Sequence, residues 1–247
     1  MGDRAGDLHW TTADTDSTVA LTSGREGFLQ EAATPATRHE IRFRPYYVVA
    51  KRVVDIAGAL VLGLVFSPIL LIVTFSLNND GGDILFRHTR VGKGGRAFKV
   101  YKFRTMVPNA DQVLRELIAN NPQLREEWLR DHKLKDDPRV TRIGRFLRKT
   151  SLDELPQLWN VLKGEMSLVG PRPVIREELR KYGRAARYYL AVKPGLTGVW
   201  QVSGRNDTDY RRRVAMDRRY AGTASLGVDI VVLAKTVDVV LRRRGAY

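Results

Sequence analysis

The longest apolar stretch of the chain is the uncharged run IAGALVLGLVFSPILLIVTFSL at residues 56–77. At about 1.5 Å per residue, a helix of this length is long enough to cross the ~30 Å hydrocarbon core of a bilayer. The segment before it, RFRPYYVVAKRVVD, is basic and aromatic, which is typical of the cytoplasmic flank of a membrane helix. The pattern therefore predicts a membrane helix whose N-terminal end faces the cytoplasm.

Ser67 and Pro68 interrupt this apolar run in its middle. Proline removes a backbone hydrogen bond and clashes with the preceding turn, so we predict a break in the helix there. Two topologies remain open: a kinked helix that spans the membrane, and a re-entrant helix over residues 50–78 that returns to the face it entered. We favour the re-entrant helix, because a spanning helix would place the cationic remainder of the chain outside the cell.

Further along the chain, polar and apolar positions predict a small β-structure among many helices. The stretch ILFRHTRVGKGGRAFKVYKF at residues 84–103 alternates around a glycine-rich turn and predicts a β-hairpin. KPGLTGVWQVSGR predicts a loop with short strands. Helices are predicted at 109–131, 142–149, 155–162, 174–192, 207–220 and 226–243. The fold class expected is α/β, mostly α.

Residues 1–40 mix small and polar residues with little apolar periodicity, which predicts a disordered N-terminal tail. This segment also lacks the apolar core of a signal peptide. We therefore expect one folded domain at 41–247, with the membrane helix as part of it.

The charge of the chain points to an anionic partner. Lys and Arg total 42 against 27 Asp and Glu, for a net charge of +15 and a pI of about 10.3. Nucleic acid, an anionic membrane surface and a phosphorylated substrate all fit this charge. The helix at 142–149 joins an apolar stripe to a cationic face, which suits a membrane interface, although a solvated face remains open. The absence of cysteine excludes disulfides, thiolate metal sites and cysteine nucleophiles.

Two adjacent carboxylates, Asp153 and Glu154, follow the basic stretch RIGRFLRKT. One interpretation is structural: Asp153 caps a helix, or Ser151 and Glu154 form a capping box. The other is functional: one carboxylate holds a divalent cation while the other acts as nucleophile or base, with arginines to offset an anionic substrate. Local spacing leaves both interpretations open.

Several long motifs resemble one family, the monotopic polyprenyl-phosphate phosphoglycosyl transferases, or bacterial sugar transferases. The matching stretches are the Ser-Pro membrane segment, RVGKGGRAFKVYKFRTM, DPRVTRIGRFLRKTSLDELPQLWNVLKGEMSLVGPRPV and KPGLTGVWQVSGR. Together they extend over roughly residues 44 to 245. The motifs are long and ordered, so chance agreement is negligible.

The resemblance implies an enzyme that transfers a sugar-1-phosphate from a UDP-sugar to undecaprenyl phosphate and releases UMP. It implies that Asp153 attacks the β-phosphate to form a covalent phosphosugar intermediate, and that Glu154 binds Mg²⁺. The implied location is the cytoplasmic face of the bacterial inner membrane, in contact with membrane lipids. The reaction would be the first membrane step of a surface polysaccharide or glycoconjugate pathway.

Five further residues match family positions near substrate or phosphate, and four of them have a named structural alternative. Lys102 and Arg104 resemble basic contacts of the active site; they could instead be strand-end charges that face lipid headgroups. Arg148 is a candidate phosphate contact, and Arg172 resembles a nucleotide or phosphate contact but could be a structural loop arginine. Asp229 resembles an aspartate that faces the site, with a solvent-facing position as the alternative.

Two other functions fit parts of the sequence. A nucleic-acid-binding membrane protein fits the charge, but the basic residues lack interleaved aromatic platforms, so we expect no nucleic-acid partner. A membrane-anchored scaffold with a decayed site would tolerate Asp153→Asn. The sequence leaves open a homo-oligomer, the identity of the sugar, and whether the chain is a minimal enzyme or an excised catalytic domain.

Overall fold

Helices form most of the fold, with two small sheets beside them, as the sequence predicts. The computed structural model describes residues 43–78, 82–131, 134–204 and 208–242, all within the unit Ile41–Tyr247. The predicted disordered tail, 1–40, lies outside the described residues. The helices are α1 Pro45–Asn78, α2 Ala110–Asn120, α3 Pro122–Asp131, α4 Arg142–Thr150, α5 Gln157–Lys163, α6 Arg176–Arg180, α7 Ala186–Ala191, α8 Tyr210–Thr223 and α9 Leu226–Leu241. The strands are β1 Leu85–Val91, β2 Ala97–Phe103, β3 Ser167–Val169 and β4 Gly195–Thr197.

The long helix α1 runs as one helical element through Ser67 and Pro68, so the secondary structure is not interrupted there, and the bend expected at this point stays a prediction. Pro68 has no N–H to give to the carbonyl of Leu64, four residues earlier. The hydroxyl of Ser67 donates to that carbonyl instead, at 2.7 Å. The side-chain bond replaces the missing backbone bond, and the helix continues to Asn78.

Helix α1 is long and apolar enough to cross a membrane, the one such helix among the described residues. Its middle presents large apolar side chains to the outside, with Leu64 77% exposed and Val65 64% exposed. Other side chains, in both the N-terminal and the C-terminal half of the helix, pack into the folded unit. Ala59 joins a core with residues of β2, α5, β3 and α9, and Val73 and Leu77 join a second cluster with Phe103 and Leu147.

The predicted hairpin is confirmed: β1 and β2 pair antiparallel from Leu85↔Phe103 to Val91↔Ala97. The predicted single helix at 109–131 is instead two helices, because Pro122 cannot extend α2. The side chain of Asn121 accepts hydrogen bonds from the N–H groups of Gln123 and Leu124, which starts α3. The helix predicted at 174–192 is also divided, into α6, a 3₁₀ turn with Gly183 at φ 50°, and α7.

The second sheet joins the two loop motifs. β3 pairs parallel with β4, with Ser167 opposite Gly195 and Val169 opposite Thr197. The buried Asn160 of α5 ties this half to the hairpin, since its side chain bonds the carbonyl of Lys99 and the N–H of Tyr101. The loops that follow β3 and β4 therefore lie beside β1 and β2, where the candidate site is found.

Candidate active site

One cavity of about 1440 Å³ brings together most of the predicted site residues. Its polar wall comes from the hairpin, the turn after α4 and the loop after β3. Its apolar wall comes from α1 and α9. Six of the predicted residues line it: Lys102, Arg104, Arg148, Asp153, Glu154 and Arg172. Asp229, Ser67 and Pro68 are not among its lining residues.

Asp153 and Glu154 lie on a 3₁₀ turn, Leu152–Glu154, between α4 and α5. Ser151 ends α4 in the left-handed conformation, with φ 59°, an uncommon one for a non-glycine residue. Neither predicted cap forms: Ser151 makes no side-chain cap bond to the turn, and α5 begins after Pro156 without a side-chain cap. The capping interpretation of the acidic pair is therefore wrong, and the turn holds both carboxylates for other contacts.

Lys102 of β2 is the cation nearest to the acidic pair. Its ammonium lies 2.6 Å from an oxygen of Glu154 and 3.9 Å from an oxygen of Asp153. Asp153 is only 9% exposed, and burial together with the charge of Glu154 raises its pKa to about 6. Lys102 and Arg148 act in the opposite direction and limit this rise in pKa. The result is a carboxylate that is ionised at neutral pH but weakly solvated.

Arg148 approaches the pair from α4, where the helix lies close to the chain after β2. Gly144 permits this approach, because any side chain there would collide with the carbonyl of Thr105. The guanidinium of Arg148 donates to the hydroxyl of Thr105 at 2.9 Å, which fixes its direction. Burial lowers the pKa of Arg148, against the opposing effect of Asp153. A partly desolvated guanidinium beside a carboxylate suits a bound phosphate.

Arg104 and Arg172 reach the cavity from different elements. The guanidinium of Arg104 donates to the carbonyl of Leu77 at 3.0 Å and so holds the C-terminal end of α1. This contact gives Arg104 a structural task in addition to its place in the cavity wall. Arg172 stands exposed between Pro171 and Pro173 in the loop after β3.

Asp229 lies apart from the cavity in a buried network of its own. Its carboxylate accepts hydrogen bonds from Lys51 at 2.8 Å, Tyr220 at 2.7 Å and Tyr47 at 3.2 Å. Lys51 and Tyr220 also donate to the carbonyl of Val169 at the end of β3. Asp229 is thus neither solvent-facing nor a cavity residue; it joins α1, α8 and α9 to the strand that leads into the Arg172 loop.

Asp153 and Glu154 are the carboxylates of this site that could hold Mg²⁺. Among the residues that the structure describes, no group of three potential metal ligands is found. Mg²⁺, however, usually takes one or two carboxylates and completes its shell with water and substrate phosphate oxygens. Asp153 and Glu154 fit that pattern once a phosphate is bound, provided that Lys102 moves away from Glu154.

Residues that the sequence analysis did not single out also line the cavity, among them Arg90, Trp200 and Gln201. Trp200 is buried, with the guanidinium of Arg213 4.6 Å from its ring centroid. Trp200 and Gln201 fall within the quoted motif KPGLTGVWQVSGR, and Arg90 within the segment RVGKGG. The motifs were visible, but only the pairing of β3 with β4 shows that they share one cavity.

These features define a class of site: a pair of carboxylates, of which Asp153 is buried, among lysine and arginine side chains and beside an apolar helix suited to a membrane. The family model for bacterial sugar transferases matches residues 46–243. The chain therefore belongs to the bacterial sugar transferase family.

Named relatives agree with this assignment. The undecaprenyl-phosphate galactose phosphotransferase of Salmonella typhimurium is 54% identical over 197 residues, which cover 80% of this chain and 41% of the relative. The exopolysaccharide production protein ExoY of Rhizobium meliloti is 50% identical, with 83% and 91% covered. The UDP-glucose:undecaprenyl-phosphate glucose-1-phosphate transferase of Caulobacter vibrioides is 40% identical, with 80% and 72% covered. The chain thus spans less than half of the Salmonella protein and most of ExoY.

Proposed function

We propose that this chain transfers a sugar-1-phosphate from a UDP-sugar to undecaprenyl phosphate, through a covalent intermediate on Asp153. The observation that carries the proposal is Asp153 itself, a buried carboxylate between Lys102 and Arg148 at the polar end of a cavity with an apolar wall. The names of the relatives supply the substrate class. Several describe transfer of sugar phosphate to undecaprenyl phosphate, and others a role in exopolysaccharide production.

The first step is a displacement at the β-phosphorus of the UDP-sugar. An oxygen of Asp153 donates an electron pair and forms an O–P bond. The bond from that phosphorus to the bridging oxygen breaks, and the electron pair leaves with UMP. Weak solvation of Asp153 favours this attack, while Lys102 and Arg148 offset the repulsion between the carboxylate and the substrate phosphates.

The second step reverses the first with a new acceptor. An oxygen of undecaprenyl phosphate attacks the same phosphorus, the bond to Asp153 breaks, and the carboxylate is restored. Two displacements allow a soluble donor and a lipid acceptor to use the cavity in turn. The apolar wall suits the acceptor's isoprenoid chain, since Val61, Leu62 and Phe66 of α1 and Val237 and Val240 of α9 all line the cavity.

Mg²⁺ is part of the proposal, with Glu154 as its ligand and Asp153 adjacent. When bound, the ion would neutralise charge on the substrate phosphates and on departing UMP. Lys102 would then be released from Glu154 and could turn toward the phosphate. Removal of divalent cations with EDTA should stop the reaction, and added Mg²⁺ should restore it.

The proposed location is the cytoplasmic face of the inner membrane, with α1 as a re-entrant helix. Both ends of α1 bind the same folded unit: Arg52 donates to the carbonyls of Val161 and Leu162, and the carbonyl of Leu77 accepts from Arg104. A helix of 34 residues is about 50 Å long if straight, so length alone permits a span. A folded unit with polar contacts at both ends of the helix cannot lie on both sides of the bilayer, which supports entry and return at one face.

The test is release of UMP from radiolabelled UDP-sugar together with formation of labelled lipid, using the purified protein in detergent with undecaprenyl phosphate. Asp153→Asn should abolish both products, whereas Asp136→Asn, at an exposed position, should leave both unchanged. Full turnover in the Asp153→Asn variant would overturn the assignment. A panel of UDP-sugars in the same assay would identify the sugar.

A further inference from the structure

The end of β1 and the loop after β3 are fastened together at a buried tyrosine. The hydroxyl of Tyr189, whose side chain is 1% exposed, donates to the carbonyl of Val91 at 2.6 Å and accepts from the N–H of Val174 at 3.2 Å. The N–H of Val91 also donates to the carbonyl of Val174 at 2.9 Å. These bonds fix the position of two segments that are far apart in sequence.

Each fastened segment carries an arginine into the wall of the active-site cavity. Arg90 immediately precedes Val91, and Arg172 lies two residues before Val174. Arg90 has an acidic neighbour, Glu178, whose carboxylate lies 3.9 Å from its guanidinium, beyond hydrogen-bond distance, and whose side chain is 35% exposed. Burial and, next, the charge of Arg172 lower the pKa of Arg90. Arg90, which is partly desolvated, thus lies close enough to the exposed Arg172 for the two charges to repel, and Glu178 is a weak counter-charge to it.

This pair is separate from the cations beside the nucleophile. Lys102 and Arg148 contact or neighbour Asp153, whereas Arg90 and Arg172 belong to the β1 end and the loop after β3. In an in-line displacement the leaving phosphate lies on the side of the β-phosphorus opposite to the attacking carboxylate. The reaction therefore needs a second group of cations away from Asp153.

We propose that Arg90, together with Arg172, forms a second phosphate subsite that binds the phosphate opposite Asp153, namely the α-phosphate of the UDP-sugar and of departing UMP. The subsite rests on the proposed function for its place in the reaction. Its chemistry, two guanidinium groups around one phosphate, is that of bidentate phosphate recognition. Because the lipid acceptor also presents a phosphate from that side, the two sources are tested separately.

The experiment measures equilibrium binding of UMP to the full chain in detergent by calorimetry, so it needs no turnover. Arg90→Gln should weaken UMP binding by about 10- to 100-fold, the usual effect of losing a charged hydrogen bond. Arg96→Gln, an exposed arginine of the same hairpin, is the matched control and should change binding less than twofold. In a second arm, the preformed phosphosugar enzyme is titrated with undecaprenyl phosphate, and its rate of discharge is compared between wild type and Arg90→Gln.

A second variant, expected to strengthen UMP binding, distinguishes loss of the subsite from simple misfolding. Glu178→Gln removes the acid that competes with phosphate for Arg90, so UMP should bind a few-fold more tightly. Weaker UMP binding in Arg90→Gln with tighter binding in Glu178→Gln supports a nucleotide phosphate subsite. A defect of Arg90→Gln confined to the lipid arm would reassign the phosphate to the acceptor and overturn the nucleotide assignment. Unchanged behaviour of Arg90→Gln in both arms would overturn the subsite. A wild-type chain that binds UMP but releases none from a UDP-sugar would instead count against the proposed function alone.

Discussion

The ionisation of Asp153 sets a condition on the first half-reaction. A carboxylate attacks phosphorus only when ionised, and burial beside Glu154 raises the pKa of Asp153 to about 6. Below that pH the ionised fraction falls about tenfold per pH unit. We expect single-turnover UMP release, measured without lipid by rapid quench, to rise with pH up to about 6 and then level off.

Two features of that assay make its pH dependence interpretable. Each phosphate of a UDP-sugar has one ester and one anhydride link and keeps a single negative charge throughout this range, and omission of the lipid removes the titrating phosphate monoester of the acceptor. A rate that stays flat between pH 5 and 8 would contradict the raised pKa of Asp153.

The same ionisation affects stability. The folded protein binds the Asp153 proton more tightly than the unfolded chain, whose pKa is near 3.8. The contribution to stability is therefore present below about pH 4 and is lost as the pH rises through about 6, which leaves a cost of up to about 3 kcal/mol at pH 8. Asp153→Asn should raise the unfolding temperature by several degrees at pH 8, with the gain shrinking toward pH 4.5.

Thermal unfolding in detergent, followed by intrinsic fluorescence, measures that effect. Asp136→Asn, at an exposed aspartate, is the control and should show no pH-dependent gain. An Asp153→Asn variant that is less stable than wild type at pH 8 would mean that the ionised carboxylate is stabilised by its surroundings.

At the residue level, the motif identified Asp153 and Glu154, but the local sequence predicted the wrong local structure around them. The pattern Ser-Leu-Asp-Glu permits a cap or a capping box, and either would direct a side chain at a helix terminus. In the structure Ser151 is left-handed and the pair lies on a 3₁₀ turn, so neither cap forms. That outcome depends on packing of Leu152 against the cluster of Val73, Leu77, Phe103 and Leu147, which no short window of sequence contains.

Among the elements, α1 is the one that decides whether the chain enters and leaves the membrane at one face. The chain has no cysteine, so single cysteines can be introduced without background. Tyr46→Cys and Asn78→Cys, at exposed positions near the two ends of α1, should both react with a membrane-impermeant thiol reagent only from the cytoplasmic side. Leu64→Cys in the apolar middle should react from neither side. Labelling of the two ends from opposite sides would establish a spanning helix.

Helix α9 offers a test of where the lipid acceptor lies. Val237 lines the cavity, whereas Val231 projects from a different side of the same helix and does not line it. Val237→Trp should fill the apolar wall and slow discharge of the phosphosugar enzyme by undecaprenyl phosphate by at least about tenfold, the loss that corresponds to about 1.4 kcal/mol. UMP release should change little.

Val231→Trp adds the same bulk to an exposed part of α9 and should leave both half-reactions intact. If the two variants behaved alike, the wall between α1 and α9 would have no part in acceptor binding.

Element types were largely predictable from the sequence, and their boundaries were less so. The alternating pattern around a glycine-rich turn was sufficient to predict the hairpin, because the turn sets the register of the two strands. Sequence patterns alone did not show that the hydroxyl of Ser67 donates to the carbonyl that Pro68 leaves without its usual backbone donor. The division at Pro122 was visible in principle, as a proline after an asparagine marks a helix start.

On the scale of the whole molecule, the excess positive charge is divided between two environments. Some cations line the cavity, while others, such as Arg142, Arg145 and Lys149, occupy α4 beside the exposed side chains of Ile143 and Phe146. The first set suits phosphates of the substrates, and the second suits the headgroups of an anionic membrane. Net charge could predict an anionic partner, but only the folded chain separates these two sets.

The cavity itself could not be predicted from local sequence, because its walls come from segments as far apart in the chain as Gly58 and Val240. The Asp229 network shows the same limit. A lone aspartate in an apolar helix indicates that its carboxylate has polar partners. Two of those partners, Lys51 and Tyr47, lie in α1, far from Asp229 in the sequence. The family motifs identified the candidate residues, but only the fold shows which of them line the same cavity.

The central claim, that Asp153 carries the phosphosugar, is tested most directly by intact-protein mass spectrometry after incubation with a UDP-sugar and Mg²⁺ in the absence of lipid. The wild-type chain should gain the mass of one phosphosugar group, located by fragmentation to Asp153, and should lose it when undecaprenyl phosphate is added. Asp153→Asn should gain nothing. Formation of lipid product by a chain that never carries the adduct, or an adduct that persists in the Asp153→Asn variant, would contradict the account.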